Sequence, residues 1–430
     1  MSILLKNAQA ITMNKANEVI KDCCIGIDGD RIVYMGSYRQ GLEDAYSRVI
    51  DCKNRTVMPG FVNAHNHAAM TIFRNYADDM KLMEWLFQKI FPLEDKLTGE
   101  TVYTATFLAI AEMLRSGTTT FSDMYFFMEE VAEAAGIAGM RAVLARGLHG
   151  EMPDDTDYRF CENLELYRKY NKSFDDRIRV MFGPHAIFTC TIPYIRMVYD
   201  KAKELGTSIH IHVAETKEEV RDCMAKHGVT PVRLLYDAGL LDSTVLLAHC
   251  VNLTEEDISM LAEKRVNVIH NPGSNMKLAS GIAPVVKLLD KGVNVCLGTD
   301  GASSNNNLDM LEEIRMATYL QKVYMDDPTA LPVDTVLSMA TVYGAKALGL
   351  HDTGSLEAGK KADIIIINTD KPQYYPKYNI KSAIVYSGYS ADVETVIVNG
   401  KVLMEKSVIL TFDEEKVMYE AQKYAEMLTS

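Results

Sequence analysis

The sequence predicts an α/β protein: a (β/α)8 TIM-type barrel with a small β-sandwich domain formed by the N- and C-terminal segments. Three observations predict it. Through the middle of the chain, apolar strand-like runs alternate with amphipathic helical ones, the pattern of βα units and a parallel sheet. At both ends the texture is instead short β runs broken by Gly, Asp and Asn turns. The length of 430 residues leaves room for eight βα units over roughly 300 residues, with the rest forming a second unit.

The N-terminal β runs are ILLKNAQAITM, CCIGIDGDRIVYMGS and SRVIDCKNRTVMP. The barrel strands follow as VMPGFVNAH from Val57, TTTFSDM from Thr118, RAVLARG from Arg141 and RIRVMFGPH from Arg177. TSIHIHVAE from Thr207, TVLLAH from Thr244, VNVIHN from Val266 and VNVCLGTD from Val293 complete them. Helical segments such as GETVYTATFLAIAEMLRSG and KEEVRDCMAKHG lie between. ADIIIINTD, SAIVYSGY and VETVIVNGKVLMEKS return to the β texture. The expected organisation is residues 1–58 as the first part of the β domain, 59–355 as the barrel, and 356–430 as the second β part with a terminal helix.

Composition excludes more than it selects. Acids outnumber bases 58 to 45, a formal net charge of −13, which argues against nucleic-acid polymers and anionic membrane surfaces as partners. The eight cysteines are scattered with no C-x-x-C pair, so reduced thiols are the simpler reading. The N-terminus lacks a signal-peptide core, and no apolar run approaches the roughly 20 residues that span a bilayer. A soluble, cytoplasmic protein is expected.

In such a barrel, reactive groups sit at the C-terminal ends of the strands. Six of the ten histidines, His65, His67, His185, His212, His249 and His270, fall at or next to such an end. Any one of them could be a satisfied core histidine; six on one rim favour a metal site. His65 and His67 are spaced i, i+2, so both side chains project to one side of a strand. On the fifth strand His212 is nearer the catalytic end, and His210 reads as the lower, structural residue. Glu215, by spacing, is equally a solvated loop acid or a group above the metal. Asp300, after the eighth strand, either caps a helix or completes a His65, His67, His212, Asp300 shell. That N/O set suits one Zn²⁺, with Fe²⁺ or Mn²⁺ as alternatives. Such an ion lowers the pKa of a bound water from about 15.7 to about 7, giving a nucleophile near neutral pH.

Other motifs are absent: H-E-x-x-H, the P-loop and G-x-G-x-x-G. His149-Gly150-Glu151 lacks the P-C-x-x-C of cytidine-type zinc deaminases. Gly183-Pro184-His185 offers no bridging lysine, so one metal is favoured over two.

The chain resembles the amidohydrolase superfamily over nearly its whole length. The resemblance rests on PGFVNAHNH (59–67), HVAE (212–215), LLAHC (246–250), HNPGSNMKL (270–278), GTDGASSNN (298–306), GSLEAGKKADIIIIN (354–368) and VNGKVL (398–403). Within it the chain is similar to the branch holding 5-methylthioadenosine and S-adenosylhomocysteine deaminases, alongside triazine hydrolases and guanine-type deaminases. The resemblance implies His65, His67, His212 and Asp300 as metal ligands. It implies Glu215 as the proton shuttle to a purine ring nitrogen, with His249 and Asp300 orienting and deprotonating the attacking water. For the substrate it implies Glu94 at the ribose hydroxyls, Arg146 and secondarily Arg159 at a polar tail, and His185 donating to a purine nitrogen. Asn271, Ser274 and Asn275 are expected to shape the pocket.

The leading expectation is thus a hydrolytic deaminase of small purine nucleosides (5-methylthioadenosine, S-adenosylhomocysteine, adenosine), working as a homo-oligomer. The rivals are the same machinery on another heterocycle, such as guanine, oxidised guanine or a triazine, and a non-catalytic barrel kept as a binding or assembly module.

Overall fold

The computed structural model describes residues 2–429. Among them, nine strands from the two chain ends meet in one sheet. From one edge they run Val408–Ile409, Lys401–Glu405, Val393–Val398, Ile364–Asn368, Arg55–Pro59, Ser2–Ile11, Val19–Asp28 and Arg31–Ser37, with Arg48–Asp51 also pairing to Ser2–Ile11. The two ends join where Ile364–Asn368 lies antiparallel to Arg55–Pro59, Ile364 opposite Pro59 and Asn368 opposite Arg55. The apolar run IIII is explained by period-2 alternation between two covered faces. Ile364 and Ile366 pack with Ile3, Leu5, Ile25 and Val57 inside the sheet's own cluster. Ile365 and Ile367 face the main core of the molecule.

The middle of the chain forms eight parallel strand positions: β1 (Phe61–Asn66), β2 (Thr118–Tyr125), β3 (Arg141–Leu148), β4 (Ile178–Val180, continued by Gly183–Pro184), β5 (His210–Val213), β6 (Leu246–His249), β7 (Asn267–His270) and β8 (Asn294–Leu297). Parallel ladders connect β1 to β2, β2 to β3, β3 to β4, and β5 through β8 in order. Parallel bridges Phe182–Ile209 and Ala186–His212 link β4 to β5. The ring closes between β8 and β1, where Asp300 N–H donates to His65 O (3.0 Å) and Asn63 Nδ2 to Thr299 Oγ1 (2.7 Å). Val62, Ala64, Val143, Ala145, Met181, Leu246, Ile269 and Cys296 fill the inside of the ring, a packed floor beneath the strand ends.

Two expectations change. SAIVYSGY, expected as a β run, is the end of the helix Ile380–Tyr386 and the turn after it, a helix started by Asn379, whose side chain accepts from Ser382 N. The run VMPGFVNAH is two strands, not one: residues to Pro59 belong to the terminal sheet and Phe61 opens β1. Gly60 makes the junction because a Cβ there would lie 2.1 Å from the Thr119 side chain. The predicted helices stand. Gly99–Arg115 starts at Thr98, whose side chain accepts from Thr101 N, and Lys217–His227 ends at left-handed Gly228 (φ 75°).

The two parts are tied by a buried strut at the start of β3. Arg141 donates to both carboxylate oxygens of Asp363 (2.7 and 3.1 Å) and to Asn399 Oδ1 (3.1 Å). The terminal helix Glu414–Thr429 returns to the barrel, where Arg115 meets Glu414 and Phe107 packs edge-on against Phe412. Among the described residues, no helix is long and apolar enough to cross a membrane.

Candidate active site

The strand ends bring together the groups the sequence singled out. His65 is the last residue but one of β1, and His67 follows as the chain turns into the 3-10 segment Ala68–Phe73. His212 sits near the end of β5, with Glu215 just past it; His249 ends β6; Asp300 follows β8. Non-glycine residues in left-handed backbone accompany several of these exits: Ala214 (φ 53°), His249 (72°), Cys250 (47°) and Asp300 (62°). Strain held at several strand ends on one rim is characteristic of a functional site.

Hydrogen bonds fix which nitrogen of each imidazole faces the centre. His67 Nδ1 lies 2.6 Å from Met124 O and His212 Nδ1 lies 2.8 Å from His185 O. A carbonyl only accepts, so both Nδ1 atoms donate, and in the neutral rings it is Nε2 that turns a lone pair to the centre. His65 Nδ1 bonds His210 Nε2 at 3.0 Å, so His210 is the residue that orients His65 from below. His65 Nε2 is buried with no hydrogen-bond partner among the described residues, 3.3 Å from Asp300 Oδ1. His67 Nε2 is 3.2 Å from the same oxygen. The other oxygen, Oδ2, accepts from Ser274 Oγ (2.6 Å) and Ser304 Oγ (2.8 Å), which leaves Oδ1 free to ligate.

In their neutral forms these imidazoles turn lone pairs to one point. Burial disfavours the His67 cation, but the Asp300 carboxylate outweighs it and raises that ring to about 9, so a bound divalent ion would take the place of its Nε2 proton. His65, His67 and His212 offer ligating atoms within 4.8 Å of one another, as do His65, His249 and Asp300. A buried set of imidazole nitrogens and one carboxylate oxygen fits a divalent cation.

The surrounding charges sort into acid and base. Burial pushes the Glu215 carboxyl above its ordinary value. Burial would lift Asp300 too, but the imidazoles of His65 and His67 hold it well below the usual carboxylate range. His65, under burial, falls to about 4 and stays neutral. His249 is disfavoured as a cation by burial, but Glu215 and Asp300 outweigh that and raise it. Its Nε2 lies 3.8 Å from Glu215 Oε2, and its Nδ1 is fixed by Asn275 Oδ1 at 2.9 Å.

The same groups open into a cavity of about 660 Å³ that also contains Glu94, Arg146 and His185. Glu94, on the short helix Phe91–Glu94, accepts from Tyr125 Oη at 2.6 Å, and burial lifts its carboxyl to about 7. Arg146 leaves β3 stacked over Phe126 (4.9 Å), with Nε donating to Glu162 at 2.7 Å. His185 is 3.0 Å from Thr189 Oγ1, and burial lowers it to about 3. Arg159 is not brought to the cavity. It lies in the first turn of the helix Tyr158–Tyr170 and bonds the helix-capping Asp157, Nε to Oδ1 at 2.9 Å. Of the loop residues expected to shape the pocket, Ser274 bonds Asp300, while Asn275 Oδ1 and Asn271 Nδ2 lie 2.9 and 3.4 Å from His249 Nδ1.

Two supports were not singled out from the sequence. Ser304, inside GTDGASSNN, reads there as a loop serine; the turn in which its N–H donates to Gly301 O brings its hydroxyl back to Asp300. Glu219, whose carboxylate bonds the backbone of Ala214 and Glu215, carried one legible signal: the T-x-x-E spacing of a helix cap.

The model of the Amidohydrolase family matches residues 56–403. A 5-methylthioadenosine/S-adenosylhomocysteine deaminase of Pelotomaculum thermopropionicum is 50% identical over 426 residues, 99% of this chain and 98% of the relative. A 5'-deoxyadenosine deaminase of Methanosarcina acetivorans is 47% identical over 431 residues, 100% and 98% of the two chains. Among solved structures, an adenosine deaminase from Xanthomonas campestris with bound zinc has a TM-score of 0.93 at 33% identity, covering 99% of this chain and 98% of that one.

Proposed function

This chain belongs to the amidohydrolase family, and we propose that it is a metal-dependent hydrolytic deaminase of adenosine analogues. The substrates are 5-methylthioadenosine, S-adenosylhomocysteine and adenosine. Water replaces the 6-amino group, the C–N bond breaks, and ammonia leaves with the hypoxanthine counterpart as product. One observation carries the reading: a single cavity is lined by His67, His212, Glu215, His249 and Asp300 together with Glu94, Arg146 and His185. The names of the relatives point to the same substrate class.

His65, His67, His212 and Asp300 would hold one divalent ion, zinc by the precedent of the zinc-bound neighbour. When bound, such an ion lowers the pKa of a coordinated water towards about 7. The chain's own groups do the rest. Glu215, whose protonated form burial favours, gives its proton to the purine ring nitrogen as negative charge builds there. Asp300, kept ionised, takes the proton of the water and passes it to the departing amine, and His249 orients that water. Two carboxylates whose environments drive their pKa values apart divide the acid and base roles.

Recognition falls to the rest of the cavity. Tyr125 occupies one oxygen of Glu94, which leaves the other for the ribose hydroxyls. Arg146 faces the polar tail with Glu162 beside it. For His185 to donate to a purine nitrogen, its Nδ1 must accept the Thr189 hydroxyl proton (3.0 Å) in place of Ala186 O, the hydroxyl's other acceptor at 3.2 Å. Arg159, committed to Asp157, has the weakest place in this scheme.

At the scale of the chain we read residues 1–58 and 356–430 as one sandwich-like β domain with a terminal helix, and 59–355 as the barrel, with Pro59 itself still paired to Ile364 in the terminal sheet. We place the protein in the cytoplasm as a homo-oligomer, supported by eight free thiols and by an acidic balance that suits neither nucleic acid nor membrane.

Purified, zinc-loaded protein mixed with 5-methylthioadenosine, S-adenosylhomocysteine and adenosine should shift the purine absorbance with release of ammonia. No change on any of the three, with metal content confirmed, would overturn the proposed substrates.

A further inference from the structure

We propose, building on the deaminase reading, that Glu219 is a positioning residue for Glu215, clamping its backbone from the start of the helix Lys217–His227. Two helices of this chain begin with the same spacing, and comparing them isolates what Glu219 does. At the helix Glu255–Lys264, Thr254 caps through its hydroxyl, and Asp257 three residues on reaches back to Thr254 N (2.9 Å). That is the ordinary reciprocal box. At the helix Lys217–His227, Thr216 likewise accepts from Glu219 N (3.1 Å). Glu219, one methylene longer than Asp257, reaches past Thr216. Its Oε1 accepts from Ala214 N (2.9 Å) and its Oε2 from Glu215 N (2.7 Å).

Those two N–H groups lie where the chain leaves β5, with Ala214 in left-handed backbone (φ 53°). Successive N–H groups turned to one side form an anion cradle, and here the anion belongs to the chain itself. Asn252 holds the opposite edge: its Nδ2 donates to Glu215 O (2.7 Å) and its N–H to Ala214 O (2.9 Å). Both ends of Glu215 are thereby fixed while its side chain aims at His249. Helix stability alone does not account for the longer acid, because the Thr254–Asp257 box caps a helix without burying a second carboxylate beside a first. Glu219 is buried, and a buried carboxylate is tolerated only where donors meet both oxygens.

Glu219→Asp separates the two roles, since it reproduces the side-chain length of the Thr254–Asp257 box and gives up the reach to Ala214 and Glu215. With metal-loaded full-length protein and 5-methylthioadenosine, kcat should fall about 10- to 100-fold with KM within about twofold of wild type, as a displaced catalytic group predicts. The unfolding midpoint and metal content should stay at wild-type values. Introduced into Glu215→Gln, the same change should cost little more, because the acid it positions is already gone. Asn252→Ala should give the same split between kcat and KM, and it decides the question should Glu219→Asp fail to fold. Wild-type kcat in both variants, or an undiminished loss in the Glu215→Gln background, would overturn the clamp. A metal-loaded wild-type protein inactive on adenosine analogues would overturn the deaminase reading, and the clamp with it.

Discussion

Burial lifts the Glu94 carboxyl to about 7 because the cavity wall removes water from it, and the Tyr125 hydroxyl only partly compensates. A protonated carboxyl cannot accept from both ribose hydroxyls, whereas the carboxylate can. Since the folded pKa is raised, the accepting form appears as pH rises through about 7. The kcat/KM for nucleosides should climb over that interval and then level. Glu94→Gln should abolish this limb and lower kcat/KM by about 1.5–3 kcal/mol, roughly 10- to 150-fold, the worth of a charge-assisted hydrogen bond. A pH profile unchanged by Glu94→Gln would move ribose recognition to another residue. Glu215→Gln probes the chemistry instead. Removing the group that gives the ring its proton should lower kcat about 10²- to 10⁴-fold, while the metal content, measured on the same preparation, should not move.

Elements decide how such residues reach one another, and at this scale the sequence was unevenly legible. Side chains at strand ends point to one rim in any parallel barrel, so His65, His67, His212, His249 and Asp300 could be named from periodicity and spacing. The break inside VMPGFVNAH could not. Its apolar pattern is continuous across Gly60, and only the approach of Thr119 shows why the chain changes sheets there. Gly60→Ala should therefore destabilise by about 1–3 kcal/mol through overpacking, read as a lower urea midpoint. Long-range side-chain partners were equally hidden. Nothing local ties Arg141 to Asp363, 222 residues apart, and Ser274 reaches Asp300 from the loop after the neighbouring strand β7. The Arg141–Asp363 strut predicts a larger loss than Gly60: Asp363→Ala leaves a buried guanidinium without its carboxylate and should cost about 3–5 kcal/mol. A loss below about 1 kcal/mol, the scale of a surface pair, would show that Asn399 and backbone carbonyls suffice to hold Arg141.

The whole molecule wraps one convergence of lone pairs. His65, His67 and His212 leave β1 and β5 on opposite sides of the ring, and Asp300 follows β8, which closes against β1. A cation bound there ties together elements distant in sequence, and the unfolded chain offers no such cluster. Linkage then requires that the ion stabilise the fold by RT ln(1 + [ion]/Kd), about 4 kcal/mol when free zinc is a thousand times Kd. Dialysis against a chelator should lower the unfolding midpoint by several degrees and abolish deamination together, and added Zn²⁺ should restore both. The stabilisation should shrink in His65→Ala, His67→Ala and Asp300→Ala, since each removes one ligating atom. It should persist in Glu94→Gln, which lies in the same cavity but outside the cluster. A midpoint insensitive to chelation, in protein shown to have lost its metal, would mean the lone pairs are held apart by the fold alone. Asp300 would then be a catalytic base that the imidazoles neutralise rather than a ligand.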